Sequence, residues 1–174
     1  SELLAIFGNF VNRTLVLTQK YYEGKVPARG ELTPLDEETL KELANYPEKI
    51  GHSIENYRFR EAVTELMNLA RVGNKYLTET EPWKTIKVDE KRVETILNIA
   101  LQISASLAVL AEPFIPFTSV KLKEMLALTQ EPNWELAGSA DLIKEGTVLP
   151  KPELLFERIE DEAIEAQVQK LLAT

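Results

Sequence analysis

Apolar residues in this chain recur at three- and four-residue steps and nowhere alternate for long enough to make a strand, which restricts the fold to helices packed through their apolar faces. Leu3, Phe7, Phe10, Val11, Leu15 and Tyr21 lay one such stripe along residues 2–22, and Gly24, Pro27 and Gly30 end it. Thr33-Pro34 predicts the next start, with a hydroxyl at the N-cap and proline at the first helical position. Asp36, Glu37 and Glu38 follow, at the positive end of the dipole. That helix should run toward Tyr46, and Pro47 and Gly51 should kink or split it before Ile54 and Tyr57 resume the stripe. Phe59, Val63, Leu66, Ala70, Gly73 and Leu77 mark a third helix that ends near Thr80, ahead of Glu81-Pro82-Trp83. Val88-Asp89 opens the longest one, with Asp89 as cap and Val88 and Val93 as a hydrophobic staple, and Pro113 and Pro116 stop it after Ala111. A shorter helix is expected over residues 117–128.

These stripes predict an all-α chain, an antiparallel helix bundle over residues 1–130. Residues 131–174 form a second region. Pro132, Gly138, Gly146, Pro150 and Pro152 make its first part irregular, and an acidic helical tail over 157–172 packs on the bundle or links onward. The 174 residues, 44% of them hydrophobic, suffice for one core. The most apolar stretch, residues 96–111, is short for a membrane span and carries Asn98, Gln102, Ser104 and Ser106, so a core helix is expected rather than an anchor. With no cysteine there is neither a disulfide framework nor a thiolate metal site, and the cytosol is the expected compartment. The opening Ser-Glu-Leu-Leu carries no basic n-region and no cleavage site, as expected of a piece excised from something longer.

The formal charge of -8 argues at first against nucleic acid, but it is unevenly spread. Residues 130–174 hold four basic and ten acidic side chains, a balance of -6, which leaves -2 for the rest. Within that near-neutral body Arg13, Lys20, Lys25 and Arg29 form one basic group, and Arg71, Lys75, Lys84 and Lys87 another. Charge therefore permits an RNA partner without arguing for one.

Catalytic chemistry is sparse. His52 is the single histidine, which rules out multi-histidine zinc sites and Cys-His dyads, and Gly-rich phosphate loops of the Walker or dinucleotide type are missing. His52 could in principle serve a Ser-His-Asp triad, although Gly51-His52-Ser53 reads as surface, and Glu37 and Glu38 occupy ordinary cap positions. No catalytic residue, metal or cofactor is expected in this chain. Three features remain. Asn9 and Arg13, four residues apart, project side by side from the first helix, either as a solvated face or as paired donors around an acceptor. Asn74 lies on an apolar stripe, where a buried asparagine ties helices together. Trp83 either caps the bundle or stands out as a stacking platform for a base.

With Gly8-Asn9-Phe10-Val11-Asn12-Arg13-Thr14, Asn74-Lys75-Tyr76, Glu81-Pro82-Trp83-Lys84, Glu112-Pro113-Phe114-Ile115-Pro116 and the tail beginning Pro152-Glu153-Leu154-Leu155, most of the chain resembles the anticodon-binding domain of methionyl-tRNA synthetase. The resemblance implies that Asn9 and Arg13 hydrogen-bond the first anticodon base, the cytosine of CAU, while Trp83 stacks on it. Family members often carry a further asparagine one turn before Asn9, where this chain has Ala5. It also implies the partners: the anticodon loop of methionine tRNA, an N-terminal catalytic domain that uses ATP, and no membrane. The family's ATP-handling His-x-Gly-His and Lys-Met-Ser-Lys-Ser are absent from these residues. Two alternatives stay open: the same domain from an isoleucine, valine or leucine enzyme, and a helical protein-interaction scaffold with Trp83 buried.

Overall fold

The computed structural model describes residues 2–128, 134–151 and 172. Within them the apolar stripes are helices: α1 (Glu2–Tyr22), α2 (Pro34–Glu55), α3 (Phe59–Thr80), the single turn α4 (Pro82–Thr85), α5 (Glu90–Leu110) and α6 (Pro116–Met125). A 3-10 turn follows at Trp134–Leu136. No strand forms among the described residues, only an isolated bridge between Lys25 and Val148. The expected helical tail over 157–172 lies outside the described residues except for Leu172, whose carbonyl accepts from Arg60 Nε at 3.3 Å and Nη2 at 3.1 Å.

The caps behave as the sequence suggests at two starts. Thr33 Oγ1 accepts from the Asp36 N–H at 3.2 Å while the Asp36 carboxylate accepts from the Thr33 N–H at 3.0 Å, a reciprocal capping box. Asp89 likewise accepts from the Arg92 N–H. Two local expectations fail. Val88 is 86% exposed and makes no staple with Val93, because the turns that leave α4, Val88 N–H to Thr85 O and Asp89 N–H to Thr85 O, swing its side chain into solvent. Nor do Pro47 and Gly51 split α2, which runs unbroken to Glu55. Four residues apart, they share one face and shape a notch for Trp134. The Trp134 indole N–H donates to the Pro47 carbonyl at 3.1 Å, and Trp134 Nε1 lies 3.4 Å from where a Gly51 Cβ would stand.

α5 is the axis of the bundle, buried without a break from Thr95 to Leu110 and packed by α1, α2, α3, α4 and α6. By length and composition it could cross a membrane, yet 94% of its apolar window is buried inside the protein, as in the central helix of a bundle. Its polar residues form a ladder at four-residue steps. Asn98 Nδ2 donates to Pro27 O at 2.8 Å. Gln102 pairs twice with the Ile143 backbone, at 2.7 and 2.9 Å. Ser106 Oγ accepts from the Gly138 N–H at 2.9 Å. The irregular segment over residues 134–151 is thus zipped onto α5, where it satisfies buried polar groups that would otherwise cost stability.

A charged knot fixes one end of the bundle. Asp36 at the start of α2 is fully buried. It accepts from Tyr76 Oη at 2.6 Å near the end of α3 and from Arg92 Nη1 and Nη2, at 2.5 and 2.8 Å, near the start of α5. These three helices therefore alternate in direction. Burial pushes the Asp36 pKa up, but the bonds from Arg92, Tyr76 and the Thr33 N–H pull it down further, and the net shift is below the ordinary 3.8. Burial and the Asp36 charge together push the Tyr76 hydroxyl far above its ordinary value. The short α4 joins this end of α3 to the start of α5.

Candidate functional site

The corner that carries Trp83 begins at Glu81, which closes α3 and opens α4 in the left-handed region, φ 43°. Its N–H donates to Leu77 O, and its own carbonyl receives the N–H groups of Lys84 and Thr85, at 2.9 and 3.0 Å. Pro82 then fixes the first position of the new turn, and Thr85 Oγ1 donates back to Thr80 O at 3.0 Å. A non-glycine residue in this conformation costs of order 1 kcal/mol. The corner nevertheless holds a single turn whose next residue is Trp83.

Trp83 is half-buried, yet it does not belong to the hydrophobic core and is not among the partly buried apolar side chains packed on that core, whereas Trp134 is. What lies over its ring is the guanidinium of Arg13 from α1, with Cζ 5.1 Å from the ring centroid, within cation–π range. Arg13 is itself half-buried, and none of its five N–H donors has an acceptor among the described residues. Asn9, one turn earlier on the same face, is exposed with its carboxamide equally unpartnered. Ala5, a further turn back, is exposed too. The fold thus brings Arg13 against Trp83 and leaves Asn9 beside them, a small patch of unused donors next to an aromatic face.

The placement of α1 is set by a close approach. A Cβ at Gly73 would stand 2.6 Å from Cε1 and Cζ of the fully buried Phe10, so only glycine lets the two helices meet there. Beside it Asn74 Nδ2 donates to Ile6 O at 3.2 Å, the interhelical tie expected of a buried asparagine, while its Oδ1 is buried with no protein partner. Phe10 adjoins Asn9, and α3 leads directly into the Trp83 corner, so this contact sets where the two halves of the patch stand relative to each other.

Other candidates are dispersed or committed. His52 is exposed on α2, with Asn56 as the side-chain neighbour of its ring nitrogens at 3.4 and 3.5 Å. Glu37 and Glu38 are exposed at the α2 start. Among the described residues no group of three His, Asp or Glu could hold a metal ion. The two basic groups lose members to structure: Arg29 bonds Asn98 Oδ1, Ala140 O and Asp141, Lys75 pairs with Glu79, and Lys84 pairs with Glu81 at 2.8 Å. The Asp36–Tyr76–Arg92 knot was not anticipated. Its one sequence signal was Thr33-x-x-Asp36, a capping box that the dipole reading of Asp36 passed over.

Residues 26–174 match the family model described as the anticodon binding domain of methionyl tRNA ligase, a match that begins after α1 and so leaves out Asn9 and Arg13. The methionine–tRNA ligases of Porphyromonas gingivalis and Phocaeicola vulgatus align over the whole chain, at 56% and 58% identity. The chain spans about a quarter of their length, 26% and 25%. A solved Mycobacterium tuberculosis methionyl-tRNA synthetase in complex with methionyl-adenylate superposes with a TM-score of 0.78 at 24% identity, over 91% of this chain and 32% of that one, a likeness of fold.

Proposed function

The chain belongs to the family of anticodon-binding domains of methionyl-tRNA ligase, and on that premise we propose that its α1–α4 face reads the first base of a CAU anticodon. The observation that carries this reading is the patch itself: two side chains, Asn9 and Arg13, whose donors have no partner among the described residues, beside an aromatic ring that the core does not use. RNA loops are read by splaying a base onto an aromatic face and bonding its Watson-Crick edge. Cytosine offers adjacent acceptors at O2 and N3, which the guanidinium and carboxamide N–H groups complement, while Asn9 Oδ1 can accept from the exocyclic amine. The whole protein then attaches methionine to the selected tRNA in the cytoplasm, with ATP as co-substrate at a catalytic domain outside these residues. A scaffold with Trp83 buried in the core fits less well, since Trp83 stands outside that core.

Binding of the 174-residue chain to labelled anticodon stem-loops tests the reading. A single base site should bind in the micromolar range or more weakly. A CAU loop should be preferred over the UAU and GAU loops of isoleucine anticodons, which differ from it in the first base alone, by about tenfold or more, the discrimination expected of one well-made set of edge hydrogen bonds. Equal binding of all three would refute it.

A further inference from the structure

One face of the Trp83 ring is already taken. Arg13 lies over Trp83 with its Cζ 5.1 Å from the centroid, and the guanidinium, a flat, delocalised cation, has a shape and size close to those of part of a pyrimidine ring. We propose that Arg13 is a base surrogate: in the free protein its guanidinium covers the face of Trp83 that the anticodon base will occupy, and binding exchanges one for the other. The proposal rests on the anticodon reading above. It differs from a simple donor role because it gives Arg13 work in both states.

The exchange makes stacking conditional on the base edge. Any base that moves onto Trp83 must break the cation–π contact, a penalty of roughly 2- to 30-fold in affinity for contacts of this kind. A base with acceptors facing Arg13 recovers that loss, because the displaced guanidinium has no protein acceptor among the described residues to return to and donates to the base instead. Uracil and guanine present an N–H at the corresponding ring position and recover less. Stacking alone is sequence-tolerant, since every base has a π face. Covering the platform with a cation turns it into a selective one.

Three variants test this. Trp83→Phe assigns the Trp83 fluorescence by subtraction, since Trp134 also emits. Arg13→Ala uncovers the ring, and Arg13→Gln, planar but uncharged, stands in should the alanine variant not fold. In the free protein, removal of Arg13 should raise acrylamide quenching of Trp83. Affinity for a CAU stem-loop should fall about tenfold, whereas affinity for UAU and GAU loops should rise, by roughly 2- to 30-fold, as the surrogate no longer has to be displaced. The opposite signs are diagnostic, because a structural role would weaken all three loops together. Unchanged quenching, or non-cognate affinities that stay level or fall with the cognate one, would overturn the exchange. If the parent chain shows no preference for CAU, the anticodon reading itself fails, which is a separate result.

Discussion

Replacing Asp36 by Asn tests how the end of the bundle beneath the Trp83 corner is held. The amide keeps the shape and an acceptor for Tyr76, but it removes the charge that faces Arg92 across 2.5 and 2.8 Å. Breaking a buried ion pair from one side costs about 3 to 5 kcal/mol, because the remaining charge is left uncompensated. Arg92 retains 19% exposure and can partly hydrate, which puts the expected loss near the lower figure. For a chain of this size about 3 kcal/mol lowers Tm by roughly 6 to 12 °C. The pH dependence carries the sharper signature. The folded pKa of Asp36 lies below its ordinary 3.8, so the unfolded chain takes up a proton first as pH falls. The stability due to this group is therefore full above about pH 4 and is lost as pH drops through the folded value. Urea melts of parent and variant at a series of pH values should give a difference that is constant near neutrality and shrinks below about pH 4. A difference that stays constant throughout that acid range would mean that Asp36 is not held as the paired carboxylate, and the reasoning would fail.

Trp83→Ala should cost less than about 1 kcal/mol of stability, since the ring contributes nothing to the core, yet it should weaken CAU stem-loop binding roughly 5- to 150-fold. Trp134→Ala should do the reverse, losing about 3 kcal/mol with its core packing and its bond to Pro47 while leaving binding intact. Thermal melts and anisotropy titrations on the two variants would show whether the tryptophans divide the roles in this way. Gly73→Ala drives a methyl into the Phe10 ring; overpacking of about 3 kcal/mol, less about 1 for the better helix former, leaves a net loss near 2 kcal/mol, which Phe10→Leu in the same chain should partly restore in a denaturant melt.

The helices were legible because each buries one stripe, and a stripe is a local pattern. α1 and α3 end where the sequence analysis puts their ends, since Gly24 and Glu81-Pro82 act within one turn. The misreading of α2 has its cause in a contact distant in sequence. Pro47 and Gly51 read as a break because nothing local says that Trp134, 87 residues on, fills the notch between them. Asn98, Gln102 and Ser106 were visible as polar interruptions of an apolar helix, and their four-residue spacing could have announced a rail. What docks on it, an irregular segment with no period, could not be read from pattern. The same holds at the candidate site. That Asn9 and Arg13 share a face follows from helical spacing, but that Arg13 crosses to cover Trp83 depends on the α1–α3 approach at Gly73, where the signal is only the absence of a side chain.

The charge of the chain bears on what such a site can contribute. Several cations that a phosphate-binding surface would need are paired within the protein: Arg92 with Asp36, Arg29 with Asp141, Lys84 with Glu81 and Lys75 with Glu79. The formal total is -8. Counterion release, which supplies most non-specific affinity for nucleic acid, therefore has little to work with. On the proposed reading that is an advantage, because a strongly basic surface would bind every tRNA and dilute the difference made at one base edge. Selectivity depends on the ratio of affinities, not on their size. Affinity can come from elsewhere in the whole protein, since a second contact on the same tRNA turns the anticodon step into an intramolecular one, at an effective concentration in about the millimolar range. Such a site discriminates when its Kd lies near that concentration, at the weak end of the expected range: a matched anticodon is then about half bound and one bound tenfold more weakly about a tenth bound. Tighter phosphate binding here would erase that contrast, so the acidity of the chain and the narrowness of its recognition patch are two sides of one physical constraint.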